Sequence, residues 1–395
     1  MNILMVLERE FPPDNRVEKE AYSLSLAGNK IIIACYTLTN KPSIEDFNYY
    51  RVIRKPISKL IYKSSAASLL IPFYFRFWKK FLDRIIRDEK IDVIHIHDLP
   101  LSKTGHRLSN KYGLKLVCDQ HEYYSNWIIH TAHYNTLAGK IIRRLSNWKK
   151  YEKRYLNKAD LVITIEEPLR KEYIDEIKIN PDKIIKIPNT PLKRVFNTTN
   201  IKQNILENYK NDYVIFYAGG IDILRGIDMV INALPLVKNY IPNVKFVLAG
   251  KIQKGIDLMN YARKRHVKEL ISFIGWIPVQ DLPSYIFASK ICVFTPLVNR
   301  EEINKTIATK IYQYASLGKP ILVSQAKLMK HFVESNELGY SVNNYKEFAD
   351  KVIYLYNNPA VYDEISGNCL RVSEKYYWEL TITKLIEFYN TKLGK

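Results

Sequence analysis

Short apolar runs with hardly a polar interruption recur along this chain, and each is followed by a stretch of helical spacing. Asn2–Leu7 is the first of them. A run that is apolar at nearly every position, rather than at every second one, belongs to a strand buried on both faces. Such strands occur in parallel sheets covered by helices. Helical spacing follows from Arg16 to Ala27 and is closed by Gly28, which suits the left-handed position after a helix end. Further runs stand at Lys30–Cys35, Ile91–Ile96, Leu114–Cys118 and Ala159–Ile163, with helical patterns between them. The alternation predicts a doubly wound α/β domain.

At Ile187-Pro-Asn-Thr-Pro191 the alternation stops on two prolines, and the polar stretch that follows from Phe196 reads as a linker. A second α/β series then begins, with runs at Tyr213–Ala218, Val244–Ala249, Ile271–Ile274, Ile291–Thr295 and Pro320–Val323. A chain of 395 residues is too long for one core. The pattern therefore predicts two Rossmann-like domains, 1–195 and 196–375, and a C-terminal helix over 376–395. Trp378–Leu393 in that last segment has amphipathic spacing. No repeat with a period of roughly 20–50 residues is visible, which excludes a solenoid.

Hydrophobic residues make up 47% of the chain, enough to bury real cores, so disorder is excluded. The four cysteines (Cys35, Cys118, Cys292, Cys369) form no C-x-x-C pair. That argues against a disulfide framework or zinc ribbon and fits a reducing compartment. Sixty basic against forty acidic residues favour an anionic partner. Residues 51–90 carry eleven basic and three acidic groups, interleaved with Phe73, Tyr74, Phe75, Phe77, Trp78 and Phe81; residues 140–158 carry eight and one. Basic helices with an apolar face suit an anionic bilayer surface. The alternative is a solvated face over ordinary core aromatics. Nucleic acid is not expected, because no recognised binding signature accompanies the charge. The N-terminus lacks the basic start of a signal peptide, and the apolar stretch Ala66–Phe75 is cut by Pro72. A cytoplasmic protein, peripheral on the inner face of the cell membrane, is expected.

Two segments carry chemistry. In Asn299–Ser324 a polar loop after a strand runs into a helix closed by Gly318. The loop lies at the carboxyl edge of a parallel sheet, where ligands bind. First-turn amides of that helix, with Lys305, Lys310 and Gln313, suit an anion; simple capping by Asn304 or Thr306 is the alternative. In Tyr217–Gly226, Gly219 and Gly220 let backbone approach a ligand, and Arg225 can grip a diphosphate.

Together these segments resemble the family 4 type of retaining, nucleotide-sugar-dependent glycosyltransferases, over nearly the whole chain. IDVIHIHDLPL and LKLVCDQHE are similar to the family's histidine-bearing strand ends, YAGGIDILRGID to its donor-phosphate loop, and TKIYQYASLGKPILVS to its nucleotide-contacting helix. The resemblance implies the GT-B fold: two Rossmann-like domains facing across a cleft, with the last helix crossing back to the first domain. It places the acceptor in the N-terminal domain and a nucleotide-sugar donor in the C-terminal one. It implies Gly219, Gly220, Arg225, Glu302, Asn304, Lys305, Lys310 and Gln313 at the donor. His121 would stand beside the reacting sugar, with Glu122 as the cleft-side acid. For His121, satisfaction by Asp119 is the alternative. Arg16 and His97 fall on the acceptor or phosphate side, and one of His95 and His97 is expected to be structural. No metal or cofactor is implied. The acceptor is expected to be a glycan on a lipid, and the pathway a surface polysaccharide or glycoconjugate.

Two departures stand out. Where relatives carry an E-x7-E pair, this chain has Lys305 and Gln313, with Glu301 and Glu302 out of register. The usual Gly-Arg of the phosphate loop is Gly219-Gly220. They keep two further readings open, a catalytically silent scaffold and a nucleotide-sugar epimerase.

Overall fold

The computed structural model describes residues 1–122, 124–128, 144–253 and 257–394, so the start of the basic stretch 140–158 lies outside the described residues. It comprises two compact units, Met1–Pro188 with Thr381–Lys395, and Asn189–Leu380. The boundaries expected at 195 and 376 thus move to Pro188 and Thr381, and hydrogen bonding explains why. The N–H of Ile187 still donates to Thr164 in the first sheet at 2.8 Å, whereas that of Trp378 donates to Pro191 at 2.8 Å. The N–H of Lys193 donates to Glu379 at 3.0 Å, so both connecting strands are tied together inside the second unit.

The first unit is built on eight strands: β1 (Asn2–Leu7), β2 (Lys30–Thr37), β3 (Ile44–Asp46), β4 (Arg51–Pro56), β5 (Val93–His97), β6 (Lys115–Gln120), β7 (Leu161–Thr164) and β8 (Ile184–Lys186). Their order is β3-β4-β2-β1-β5-β6-β7-β8, parallel throughout except for β3 against β4. Ile3 to Leu7 are wholly buried between β2 and β5, as a doubly covered strand requires. The first four helices of the unit are α1 (Asn15–Leu26), α2 (Lys59–Ser64), α3 (Phe73–Glu89) and α4 (Ser102–Tyr112). Asp14 caps α1 by accepting from the N–H groups of Arg16 and Val17, each at 3.1 Å. α3 buries Tyr74, Phe75, Phe77, Trp78 and Phe81 on its inner face and leaves Arg76, Lys79, Lys80 and Arg84 outside. Five of the seven aromatics in residues 51–90 are therefore core; Tyr62 and Phe73 are exposed.

The second unit holds β9 (Tyr213–Ala218), β10 (Val244–Ala249), β11 (Ile271–Gly275), β12 (Ile291–Phe294), β13 (Ile321–Val323) and β14 (Gly339–Ser341). All pairs are parallel, in the order β11-β10-β9-β12-β13-β14. In both sheets the order reverses once, between β1 and β5 and between β9 and β12. Loops leaving the carboxyl ends of those strands part in opposite directions and open a crevice, the usual ligand position of such sheets. The expected helix over 378–393 is broken into Trp378–Thr381, Thr383–Phe388 and a widened turn at Tyr389–Leu393.

Candidate functional site

At the β1/β5 crevice of the first unit a buried charge network stands behind one reachable histidine. Arg16, in the first turn of α1, grips Asp119 at the end of β6 with two hydrogen bonds of 3.1 Å. The same guanidinium donates to the carbonyl of Ile187 at 2.9 Å and lies 3.0 Å from Glu20. Asp119 in turn meets His121 Nε2 at 2.9 Å, and His97 Nδ1 lies 3.2 Å from that same nitrogen. Asp98, in a left-handed conformation (φ 65°) just after β5, brings a second carboxylate to 3.9 Å of His121 Nδ1. Asp119 and His97 have no exposed side-chain surface, while His121 keeps 13%. His121 is the histidine of the network that a ligand can touch, with Asp98, 20% exposed, beside it.

Burial opposes charge throughout this network, and the paired carboxylates decide the outcome. Burial alone would lower the His121 pKa, but Asp119 and then Asp98 raise it to about 9. Burial also works against ionised Asp119, yet Arg16 and His121 hold its carboxyl well below the usual range. Glu20, buried and beside Asp119, is pushed up to about 8. His95 and His97 are lowered by burial and stay neutral; His95 stacks on His97 at 4.5 Å and pairs with the Tyr389 hydroxyl at 2.8 Å. Glu20, His95, His97 and Asp119 bring four ligand atoms within 4.8 Å of one another. Arg16 sits against both of those carboxyl groups, at 3.0 Å from Glu20 and 3.1 Å from Asp119.

In the second unit the β9/β12 crevice gathers cations. Lys310 Nζ lies 4.3 Å from the Tyr217 ring centre and 4.2 Å from that of Phe294. Arg225 lies 6.0 Å from the Phe294 ring and 3.6 Å from Asp222. Burial pushes the Lys310 pKa well below its ordinary value, and the charge of Arg225 adds to that. Glycine is required at two points. Gly219 (φ 143°) would bring a Cβ to 2.6 Å of Lys310 Nζ, and Gly226 (φ 69°) would drive one to 1.7 Å of the Thr295 carbonyl oxygen.

Gly219, Arg225 and Lys310 thus come together as read from sequence, and Gly220 flanks them, its carbonyl accepting from the Tyr217 hydroxyl at 2.7 Å. Other expectations change. Arg16 does not reach toward a ligand: it is 4% exposed and fully committed inside the unit. Both His95 and His97 are buried, so neither is the exposed member of the pair. Asn304 holds the loop by donating to Val298 and Arg300 and accepting from Lys327, and Lys305 pairs with Glu301 at 2.5 Å. Neither Asn304 nor Thr306 caps the helix Thr309–Ala315, whose cap is Ala308. Glu302 lies 3.7 Å from Arg300, and Gln313 is half-buried on that helix. Glu122 is exposed and adds to the field at Arg9. Sequence reasoning passed over Asp98, Glu20 and Tyr389, and gave Asp119 only as the partner of an inert histidine. It is the partner, and the histidine still reaches solvent.

Comparison with known proteins fits both units. A model described as Glycosyltransferase Family 4 matches residues 21–190, and one described as Glycosyl transferases group 1 matches 198–369. The chain belongs to the family 4 glycosyltransferases. A relative from Saccharomyces cerevisiae, the phosphatidylinositol N-acetylglucosaminyltransferase GPI3 subunit, is 20% identical over 98% of this chain and 82% of its own length. Among solved structures, sucrose-phosphate synthase from Thermosynechococcus elongatus superposes with a TM-score of 0.75 at 16% identity, over 98% of each chain. Anabaena HepE, solved in complex with UDP-glucose, gives 0.67 at 15% identity, over 98% of each chain. At such identities the structures establish the fold, and it is GT-B.

In this glycosyltransferase His121 is a hydrogen-bond donor on both ring nitrogens at neutral pH. Because its folded pKa is raised, the stability it contributes is complete below 6.5 and is lost as pH rises through about 9. Glu20, held protonated up to about 8, has the same sign. Thermal midpoints are therefore expected to fall between neutral pH and pH 10 in wild type and much less in His121→Ala. The same variant is expected to lose about a hundredfold in turnover and the alkaline limb of the pH–rate profile. An unchanged limb would mean that another group titrates there.

Proposed function

We propose that the enzyme moves a hexosyl group from a nucleoside diphosphate sugar to a lipid-linked glycan acceptor, with retention, in the synthesis of a surface polysaccharide or glycoconjugate. The observation that carries this reading is the cation pair Lys310 and Arg225 beside Gly219, with Asp222 as the one carboxylate felt at Lys310 among the described residues. Such a pair is matched by a diphosphate. It is supported by neighbours solved with UDP and UDP-glucose and by a relative named for transfer to phosphatidylinositol. Among the described residues no helix is long and apolar enough to cross a membrane. The reading is of a cytoplasmic enzyme resting on the inner face of the membrane, and nucleic acid has no part in it.

In the reaction the bond from the sugar C1 to the β-phosphate oxygen breaks while the acceptor oxygen bonds to C1 on the same face. The acceptor proton passes to the departing phosphate, and nucleoside diphosphate leaves. Lys310 and Arg225 meet the charge that develops on the leaving group, so the reading calls for no metal. His121, as imidazolium, is the donor that the first unit's crevice offers to a sugar hydroxyl.

A thermal-shift panel of UDP, GDP, ADP and dTDP sugars tests this. A ligand at a hundredfold excess over its dissociation constant adds about 2.7 kcal/mol to the stability of the native state. One base is expected to shift the midpoint, and Arg225→Ala to weaken that ligand about tenfold to a hundredfold while leaving the unliganded midpoint in place. No shift from any of the four would defeat the proposal.

A further inference from the structure

Away from both crevices, the first unit has a cavity of 320 Å³ whose lining carries four cations, Arg76, Lys79, Lys103 and Arg107, and no carboxylate. Among the described residues none of the four forms an ion pair. Two helices begin at its wall. Pro72 and Phe75 open α3, Lys103 and Thr104 open α4, and neither helix has a side-chain cap. At the start of α4 the N–H of Ser102 donates to Leu99 and that of Lys103 to the Tyr151 hydroxyl, each at 3.0 Å, so the helix termini add to the side chains only the positive potential of their dipoles. Lys103 is also held 5.5 Å over the buried ring of Phe75, which fixes one cation in place.

The rim is apolar. Leu70, which lines the cavity, is 59% exposed, and Phe73 beside it is 55% exposed. From Pro56 to Leu82 there is no acidic residue. Exposed leucine and phenylalanine around a concave cationic site would be out of place facing water alone. They suit the boundary between headgroups and acyl chains.

We propose that this cavity is a headgroup site, which takes the phosphate of an anionic phospholipid while Leu70 and Phe73 enter the bilayer beside it. The proposal rests on the membrane placement above and adds to it a lipid-phosphate site separate from the donor-phosphate cations.

Flotation of the full chain with phosphatidylcholine vesicles containing phosphatidylglycerol tests it. Neutralising the cavity pair (Arg76→Ser with Arg107→Ser) is expected to weaken binding about thirtyfold. Neutralising Lys80 and Arg84, exposed on the same helix but outside the cavity, removes the same charge and is expected to cost only severalfold. Equal losses from the two pairs would mean a diffuse charged surface and overturn the site. Leu70→Ser with Phe73→Ser is expected to reduce vesicle binding as well. If it does not, while soluble glycerol 3-phosphate binds through Arg76 and Arg107, the occupant is a free phosphate and the lipid is overturned. The donor-induced thermal shift, read on each variant, confirms folding and reports on the transferase assignment independently.

Discussion

Arg16→Met is expected to destabilise the first unit by about 3–5 kcal/mol, the cost of leaving one partner of a buried charge pair behind. The side chain is nearly inaccessible, and both oxygens of Asp119 depend on it. A methionine fills part of the volume but supplies no charge, and ionised Asp119 is then left beside a protonated Glu20 with only His121 to balance it. In a unit of this size the thermal midpoint is expected to fall by roughly 10 °C. A second readout separates this from loss of packing. Asp119 is held ionised by Arg16, so its contribution is present above its ordinary pKa and is lost as pH falls. Without Arg16 its carboxyl titrates higher, and acid unfolding is expected to begin at a higher pH. Arg16→Lys, which keeps the charge and loses the fork, should fall between the two. An unfolding free energy for Arg16→Met within about 1 kcal/mol of wild type would show that the network is not held by this side chain.

The two sheets were legible because their inner strands carry the signal that parallel burial demands. Asn2–Leu7, Tyr213–Ala218 and Val244–Ala249 are found at the residues expected from apolar runs alone. The strands that escaped have other reasons to be strands. β3 and β4 form an edge pair with charges at Glu45, Asp46, Arg51, Arg54 and Lys55, so no continuous run exists to be seen. β14 begins at Gly339 and is held by its register with β13. The site divides along the same line. Gly219, Arg225 and Lys310 sit in segments whose local pattern, strand then glycine then helix, already points to a ligand. Behind His121, Asp119 two residues away was legible as its partner, and the rest of the network was not. Arg16 and Asp119 are 103 residues apart, and His95 and Tyr389 are 294 apart; only the fold brings them together. Charge in sequence also misled at Arg16. An arginine opening a helix after a strand suits a phosphate, and here its charge is spent on two carboxylates.

Lys310 carries the prediction that bears most directly on chemistry. Its ammonium is packed over two aromatic rings with Arg225 nearby, and burial with that second cation disfavours its charge. A diphosphate entering beside Gly219 reverses the balance, because an anion favours the protonated amine. Nucleoside diphosphate binding is therefore expected to take up a proton at a pH below the ordinary lysine range. Calorimetry in buffers of differing ionisation enthalpy measures that uptake. Lys310→Met is expected to abolish it, to weaken the nucleotide about tenfold to a hundredfold, and to lower turnover by about 10²–10³, the usual effect of removing a charge-stabilising donor from a leaving group. The turnover loss should exceed the affinity loss, since the charge on the leaving oxygen grows as the C1–O bond breaks. Proton uptake that persists in Lys310→Met would assign the titration to another group. Equal losses in affinity and turnover would make Lys310 a binding residue with no added grip on the transition state.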